Sequence, residues 1–158
     1  MNPQWPSNWD QLVQGIGCEM CESARPESDS YGVRIRATKN TDAVLQRANV
    51  QRGYTLVIWR GRHVTEPTEL TDEEACMYWL DVLTVARALI SHYRPIKMNY
   101  ETLGNSLPHL HTHLIPRYME HDPAPGRPFP LLPQDGSEPL ISEAELWADA
   151  EALRNLLR

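Results

Sequence analysis

The chain has 158 residues, of which 41% are hydrophobic and 23% are charged, and its formal net charge is −6. This length and composition are those of one globular domain with a buried core. The negative charge disfavours nonspecific binding to polymeric nucleic acid, although a few local groups can still hold a small anion. No apolar run reaches bilayer length and the N-terminus lacks the pattern of a signal peptide, so we expect a cytoplasmic protein that binds no membrane.

The N-terminal half predicts an irregular arm, three strands and a long helix. Residues 1–31 are rich in proline, serine and acidic residues and contain a Cys-x-x-Cys motif, and residues 32–117 are expected to form the core. The helical periodicity runs from Asp72 to about Tyr93, begins at a Thr71/Glu74 capping box and ends before Pro95. The three strand candidates are Gly32–Ala37, Asp42–Gln46 and Tyr54–Trp59.

The C-terminal half predicts two more strands, at Ile96–Tyr100 and Leu110–Ile115. Residues 118–158 are expected to form a tail, in which an extended proline-rich segment precedes a helix that begins at a Ser142/Glu145 capping box. Sequential strands joined by short loops favour an antiparallel sheet. The expected fold is therefore α+β, with about five antiparallel strands, one long helix and a C-terminal helix.

The stretch PHLHTHLIPR places His109, His111 and His113 at every second position. On a strand, all three side chains would point to one face, about 6.5–7 Å from one neighbour to the next. This spacing is too long for three imidazoles to converge on one metal ion, but it suits an extended anion such as a polyphosphate. A neutral imidazole can attack phosphorus near pH 7 and form a covalent intermediate. A merely polar sheet face is the alternative.

The segment His-Leu-His-Thr-His-Leu-Ile resembles the signature of the histidine triad superfamily. Asn99 followed by Gly104-Asn105-Ser106, and Ile115-Pro116-Arg117 after the histidines, fit the same family. The block GYTLVIWRGRHVTEPTELTDEE is similar to the family's strand, histidine and helix start. The resemblance covers about residues 42–120. It implies a histidine-triad-like fold that pairs with a second copy as a homodimer.

The resemblance implies a role for each matching residue. His111 would be the nucleophile that attacks the α-phosphorus of a nucleotide, and His113 would bind and neutralise the phosphate. Ser106 and Asn99 would contact the phosphate or the leaving group, and Asn105 would support their loop.

Two positions depart from the family's pattern. Gln46 stands where family members usually have an aspartate or asparagine that binds the ribose hydroxyls, and its amide can still serve there. Tyr54 stands where many members have a histidine.

Cys18 and Cys21 form a Cys-x-x-Cys pair, which in a reducing compartment indicates metal or redox chemistry. Zinc-bearing members of the superfamily pair such a motif with a later histidine and with the first histidine of the triad, which correspond to His63 and His109. The resemblance thus implies a four-ligand zinc site that is structural and takes no part in the chemistry. Two reduced surface cysteines and a surface histidine are the alternative.

These features predict a nucleotide hydrolase or transferase that acts through a nucleotidyl-histidine intermediate and needs no catalytic cofactor. The form of the triad loop resembles bacterial dinucleoside polyphosphate hydrolases. A nucleoside phosphoramidate hydrolase, a nucleotide-binding regulatory protein with little turnover and a hydrolase with a catalytic zinc ion are the alternatives.

Overall fold

A computed structural model of the chain describes residues 4–22, 26–47, 51–129 and 141–158. None of the helices in these ranges is both long and apolar enough to cross a membrane. The described residues form the following strands and α-helices: α1 (Trp9–Val13), α2 (Glu19–Glu22), β1 (Gly32–Ala37), β2 (Thr41–Gln46), β3 (Thr55–Trp59), α3 (Asp72–Tyr93), β4 (Lys97–Thr102), β5 (His111–Arg117) and α4 (Glu143–Leu156).

The strands form one five-stranded sheet in the order β1-β2-β3-β5-β4, and every neighbouring pair is antiparallel. This confirms the α+β prediction with a five-stranded antiparallel sheet. Strand β5 lies between β3 and β4, so the histidine segment occupies an interior strand. The register places Leu56 opposite His113 and Ile58 opposite His111.

Helices α3 and α4 pack on one face of the sheet. The alternation in β5 sends Leu114 and Thr112 to this face, and the hydroxyl of Thr112 lies 2.8 Å from the Tyr78 hydroxyl of α3. The histidines that alternate with these residues point to the opposite face. The fully buried core includes Val33, Leu45, Val57, Trp59, Tyr78, Val82, Leu89, Leu110, Leu114 and Leu153.

Both predicted capping boxes are present. The Thr71 side chain accepts from the backbone N–H of Glu74, and the Glu74 carboxylate accepts from the backbone N–H of Thr71. Ser142 and Glu145 make the same reciprocal pair at the start of α4. These bonds satisfy N–H groups that the first turn of a helix leaves without partners.

The bounds of β2, β3 and β4 differ from the sequence-based expectations by one or two residues, and three further differences concern other segments. The N-terminal arm contains two short helices, α1 and α2, which at five and four residues are too short to show a periodic pattern. Strand β5 begins at His111 and ends at Arg117, because Pro116 and Arg117 still pair with β4. Residues 122–129 form bends and turns where an extended segment was expected, and the rest of the proline-rich stretch lies outside the described residues.

A buried carboxylate joins α4 to the C-terminal end of α3. Asp149 is 6% exposed and accepts hydrogen bonds from Arg52, from His92 at 3.0 Å and from the Tyr93 hydroxyl at 3.0 Å. Several hydrogen-bond donors stabilise the negative charge of a buried carboxylate. When the charge is removed, these donors lose a charged acceptor.

We expect Asp149→Asn to lower the free energy of unfolding by about 1–3 kcal/mol, because Arg52, His92 and Tyr93 lose a buried, charged acceptor. The shift of the midpoint in urea unfolding measures this change. Glu151→Gln on the exposed side of α4 is the matched control and should change the free energy by less than about 0.5 kcal/mol. Equal effects of the two variants would contradict the role assigned to Asp149.

Candidate active site

The three histidines are all buried, but they do not form a simple row. His109 lies just before β5, and its backbone N–H donates to the carbonyl of Leu107. His111 and His113 lie on β5 with their ring centroids 4.7 Å apart. The imidazole of His109 approaches Cys18 and Cys21 instead. The structure therefore separates the first histidine from the other two.

The orientation of His111 is fixed by the main chain. Its Nδ1 lies 2.6 Å from the carbonyl oxygen of His109, and a carbonyl can only accept, so Nδ1 carries the proton. The other ring nitrogen, Nε2, then has a free lone pair. Burial lowers the pKa of His111 below its usual value, which favours the neutral ring. A neutral imidazole with an unprotonated Nε2 is competent as a nucleophile.

His113 is held by a tyrosine that the sequence did not assign a role. The hydroxyl of Tyr54 is hydrogen-bonded to Nδ1 of His113, and both side chains are buried. Burial lowers the pKa of His113 to about 3, with a smaller contribution from His111, so this ring is neutral at physiological pH. The sequence feature that could have identified Tyr54 is its position directly before β3, the strand that pairs with β5.

A cavity of about 680 Å³ adjoins the histidine face of the sheet. Its floor includes Val44, Leu56 and Ile58, of which the last two are the cross-strand neighbours of His113 and His111. The predicted site residues Gln46 and Ser106 also line it. Further walls come from the N-terminal arm, from Arg34 of β1 and Asp42 of β2, and from Arg60, which follows β3.

The other two predicted substrate-binding residues lie elsewhere. Asn105 is exposed in the loop that precedes the histidines, next to Ser106. Asn99 lies on β4 opposite Ile115, where its side-chain oxygen accepts a hydrogen bond from Arg117. The side-chain oxygen of Asn99 is thus engaged by Arg117, and Asn99 is not among the residues that line the 680 Å³ cavity.

Cys18, Cys21, His63 and His109 form a compact cluster beside the triad. Their ligand atoms all lie within 4.8 Å of one another. Cys21 Sγ is 3.2 Å from His63 Nδ1 and 3.4 Å from His109 Nδ1, and Cys18 Sγ is also 3.4 Å from His109 Nδ1. A tetrahedral site with the usual Zn–S and Zn–N lengths requires sulfur–nitrogen separations of roughly 3.6 Å, which this cluster nearly meets.

The tautomer of His109 suits metal binding. Its Nε2 lies 2.7 Å from the carbonyl oxygen of Trp59, so Nε2 donates and Nδ1 presents a lone pair to the two sulfurs. Burial lowers the pKa of His109 to about 4, which keeps that lone pair free of a proton. The two sulfur and two nitrogen donors are the set that a four-coordinate zinc ion prefers.

Comparisons with known proteins agree with this architecture. The family model named HIT domain matches residues 27–120. The "Protein hit" of Bacillus subtilis is 39% identical over 99 residues, which is 60% of this chain and 68% of that protein.

Solved structures share the fold. A histidine triad protein from Bradyrhizobium japonicum matches with a TM-score of 0.70 and 23% identity, over 86% of this chain and 98% of that one. A zinc-bound histidine triad family protein from Mycobacterium smegmatis matches with a TM-score of 0.55 and 19% identity, over 94% of this chain and 91% of that one. With the domain match and the Bacillus relative, these likenesses show that the chain belongs to the HIT family and has its fold.

Proposed function

We propose that the protein is a nucleotide hydrolase or transferase that cleaves its substrate at the α-phosphorus through a nucleotidyl-His111 intermediate. Membership of the HIT family supports nucleotide binding and hydrolase-type chemistry in general. The observation that carries the finer proposal is the hydrogen bond from His111 Nδ1 to the His109 carbonyl. This bond leaves Nε2 unprotonated on the face of the sheet that the cavity adjoins.

The reaction proceeds by two displacements. The lone pair of His111 Nε2 attacks the α-phosphorus, a P–N bond forms, and the bond to the leaving group breaks in line with the attack. Water then attacks the same phosphorus from the opposite side, the P–N bond breaks, and the water proton is released. Each displacement inverts the phosphorus, so the pair retains its configuration.

Hydrogen-bond donors beside the nucleophile would stabilise the negative charge that develops on the phosphate oxygens. His113 follows His111 on the same face of β5, and Ser106 lines the adjoining cavity. Because the Tyr54 hydroxyl holds the His113 ring before substrate arrives, a hydrogen bond from His113 can strengthen in the transition state without reorganisation.

The cavity supports a nucleotide as the substrate. Its volume of about 680 Å³ lies within the usual range for small-molecule sites. Its apolar floor of Val44, Leu56 and Ile58 suits the faces of a base, and the Gln46 side-chain amide offers both donors and acceptors to a sugar. We propose dinucleoside polyphosphates as the substrate class, with nucleoside phosphoramidates as the alternative leaving-group chemistry.

We expect a mass increase of one nucleotidyl group when the wild-type protein is mixed with a diadenosine polyphosphate and quenched without acid. His111→Ala should show no adduct and at least about 10³-fold slower turnover, because the covalent route is lost. Intact-protein mass spectrometry measures the adduct, and adenosine phosphoramidate in a parallel reaction compares the two leaving groups.

His121→Asn is the matched control for this experiment. His121 is an exposed histidine with a φ of 63°, a conformation that asparagine tolerates. This variant should form the adduct as the wild type does. Turnover that survives His111→Ala would contradict the mechanism, and nucleotide affinity without adduct or turnover would favour a regulatory binding protein.

We further propose that Cys18, Cys21, His63 and His109 hold a structural zinc ion. The donor set and the His109 tautomer support it, and the related M. smegmatis protein is described as zinc-bound. With four protein ligands, the ion would have no open position for substrate and would supply a crosslink between the N-terminal arm and the sheet. A Cys-x-x-Cys pair that binds metal rather than forming a disulfide fits the reducing cytoplasm, which we propose as the compartment.

We expect about one zinc ion per purified chain, and a loss of this zinc in Cys18→Ser and Cys21→Ser. Metal analysis after dialysis measures the stoichiometry, and thermal unfolding measures the accompanying loss of stability. Cys76→Ser, which changes an exposed cysteine of α3, is the matched control and should keep both zinc and stability. Equal zinc content in all variants would contradict the site.

We also propose a homodimer that uses the β4 edge of the sheet. Among the described strands, β4 pairs with β5 alone, and Tyr100 on β4 is 42% exposed. Apolar side chains of α3 are exposed as well, among them Leu80 and Leu83. Unpaired edge groups and exposed apolar surface both favour association with another chain.

We expect light scattering to give twice the mass of one chain for the wild type and the mass of one chain for Tyr100→Lys, because a charged residue on an edge strand opposes pairing. Leu156→Lys on α4, which contacts β1 at the other edge of the sheet, is the control. A monomeric wild type would contradict the dimer.

A further inference from the structure

We infer that the Tyr54 hydroxyl donates to Nδ1 of His113 and so holds His113 in the tautomer whose Nε2 carries a proton for the substrate phosphate. This inference rests on the proposed function for the identity of the ligand and on the structure for the tautomer. It makes Tyr54 a positioning residue, because its hydroxyl acts on the phosphate only through His113.

The direction of the hydrogen bond follows from what each group requires. Burial, and to a lesser extent the charge of Glu101, raises the pKa of Tyr54, so the hydroxyl keeps its proton. Among the described residues, His113 Nδ1 is the hydrogen-bond partner that the structure gives this hydroxyl. If Nδ1 were the donor, the O–H of Tyr54 would have no acceptor among the described residues, which is unfavourable for a hydroxyl that is only 6% exposed.

The tautomer follows from the direction. A neutral imidazole has one protonated and one unprotonated nitrogen, and a nitrogen that accepts from a hydroxyl is the unprotonated one. His113 Nδ1 is therefore the acceptor, and the proton lies on Nε2. The ring can then donate to an anionic oxygen while it remains neutral.

The Tyr54 ring is held by the segment that follows the triad strand, residues 118–129, which we call the C-terminal strap. Phe129 at the end of the strap is buried against Tyr54 and Ile115. Arg117 fastens the strap from the end of β5, because its guanidinium donates to both Asp122 oxygens at 2.7 and 2.8 Å.

Arg117 also holds the remainder of the strap. It donates to the carbonyl of Ala124 at 2.6 Å and to the carbonyl of Arg127 at 3.0 Å. Its guanidinium lies 5.2 Å from the centre of the Phe129 ring, in the range of a cation–π contact. The hydroxyl of Tyr54 is thus a fixed donor, because the ring that bears it is packed from both the sheet and the strap.

A neutral donor is suited to the proposed intermediate. When Nε2 of His111 bonds to phosphorus and Nδ1 keeps its proton, the His111 ring carries a positive charge. The His113 ring is centred 4.7 Å away, and a second positive charge there would be repelled. A neutral His113 that donates through Nε2 stabilises the phosphate oxygens without this repulsion.

The tautomer can be measured without turnover by ¹⁵N NMR of the imidazole nitrogens in the ligand-free protein, with the His113 signals assigned by their loss in His113→Gln. We expect the proton on Nε2 and an unprotonated Nδ1 whose signal is shifted by the Tyr54 hydroxyl. A proton on Nδ1 would overturn the inference. The expected tautomer in a protein that turns over no nucleotide would support the inference and contradict the proposed function.

The second arm uses Tyr54→Phe, which removes only the hydroxyl. We expect the ¹⁵N signal of His113 Nδ1 to move to the position of an unprotonated nitrogen that accepts no hydrogen bond. We also expect kcat to fall roughly tenfold and KM to change less than about twofold, because His113 donates to charge that develops in the transition state. Tyr100→Phe removes an exposed hydroxyl from β4, on the face of the sheet opposite the histidines, and should change neither signal nor kcat. An unchanged Nδ1 signal in Tyr54→Phe would overturn the inference.

Discussion

The hydrogen bond between His111 Nδ1 and the His109 carbonyl is the interaction on which the rest of the site depends. It fixes the tautomer of one histidine with the backbone of another, whose own imidazole belongs to the cysteine–histidine cluster. In the proposed mechanism, a zinc ion in this cluster therefore acts on the nucleophile only by holding the His109 backbone in place. Removal of the metal would disturb the orientation of His111 without removing a catalytic group.

Side chains of β5 alternate between the two faces of the sheet, so that core residues face the helices and the histidines face the opposite side. Thr112 and Leu114 face the helices, where Thr112 meets the Tyr78 hydroxyl within the core. His111 and His113 face the cavity side, where burial keeps both rings neutral. In the part of the chain that the structure describes, α3 and α4 cover the first face, and the N-terminal arm and the C-terminal strap border the second, where the cavity lies.

Much of the architecture could be predicted because its signals are local. The capping boxes at Thr71 and Ser142 and the alternation around His111 each depend on residues within a few positions of one another. The short helices α1 and α2 were not predicted, because a single turn of helix is too short to show a periodic pattern of apolar residues. The substrate contact that the resemblance implies for Asn99 stays a prediction, and the bond from Arg117 to its side-chain oxygen is a contact between strands that no spacing in the sequence reveals.

The sequence by itself determined the order of the main strands and helices along the chain and the shared face of His111 and His113, and its resemblance to the histidine triad family indicated the four residues of the cysteine–histidine cluster. Only the tertiary structure decided the protonation of the site, because a tautomer depends on which atom lies against each ring nitrogen. Tyr54 is 59 positions away from His113, and Trp59 is 50 away from His109, yet each sets the proton of its histidine. Periodicity and motif spacing report the direction of a side chain, but only packing across β3 and β5 brings a donor or an acceptor to its ring.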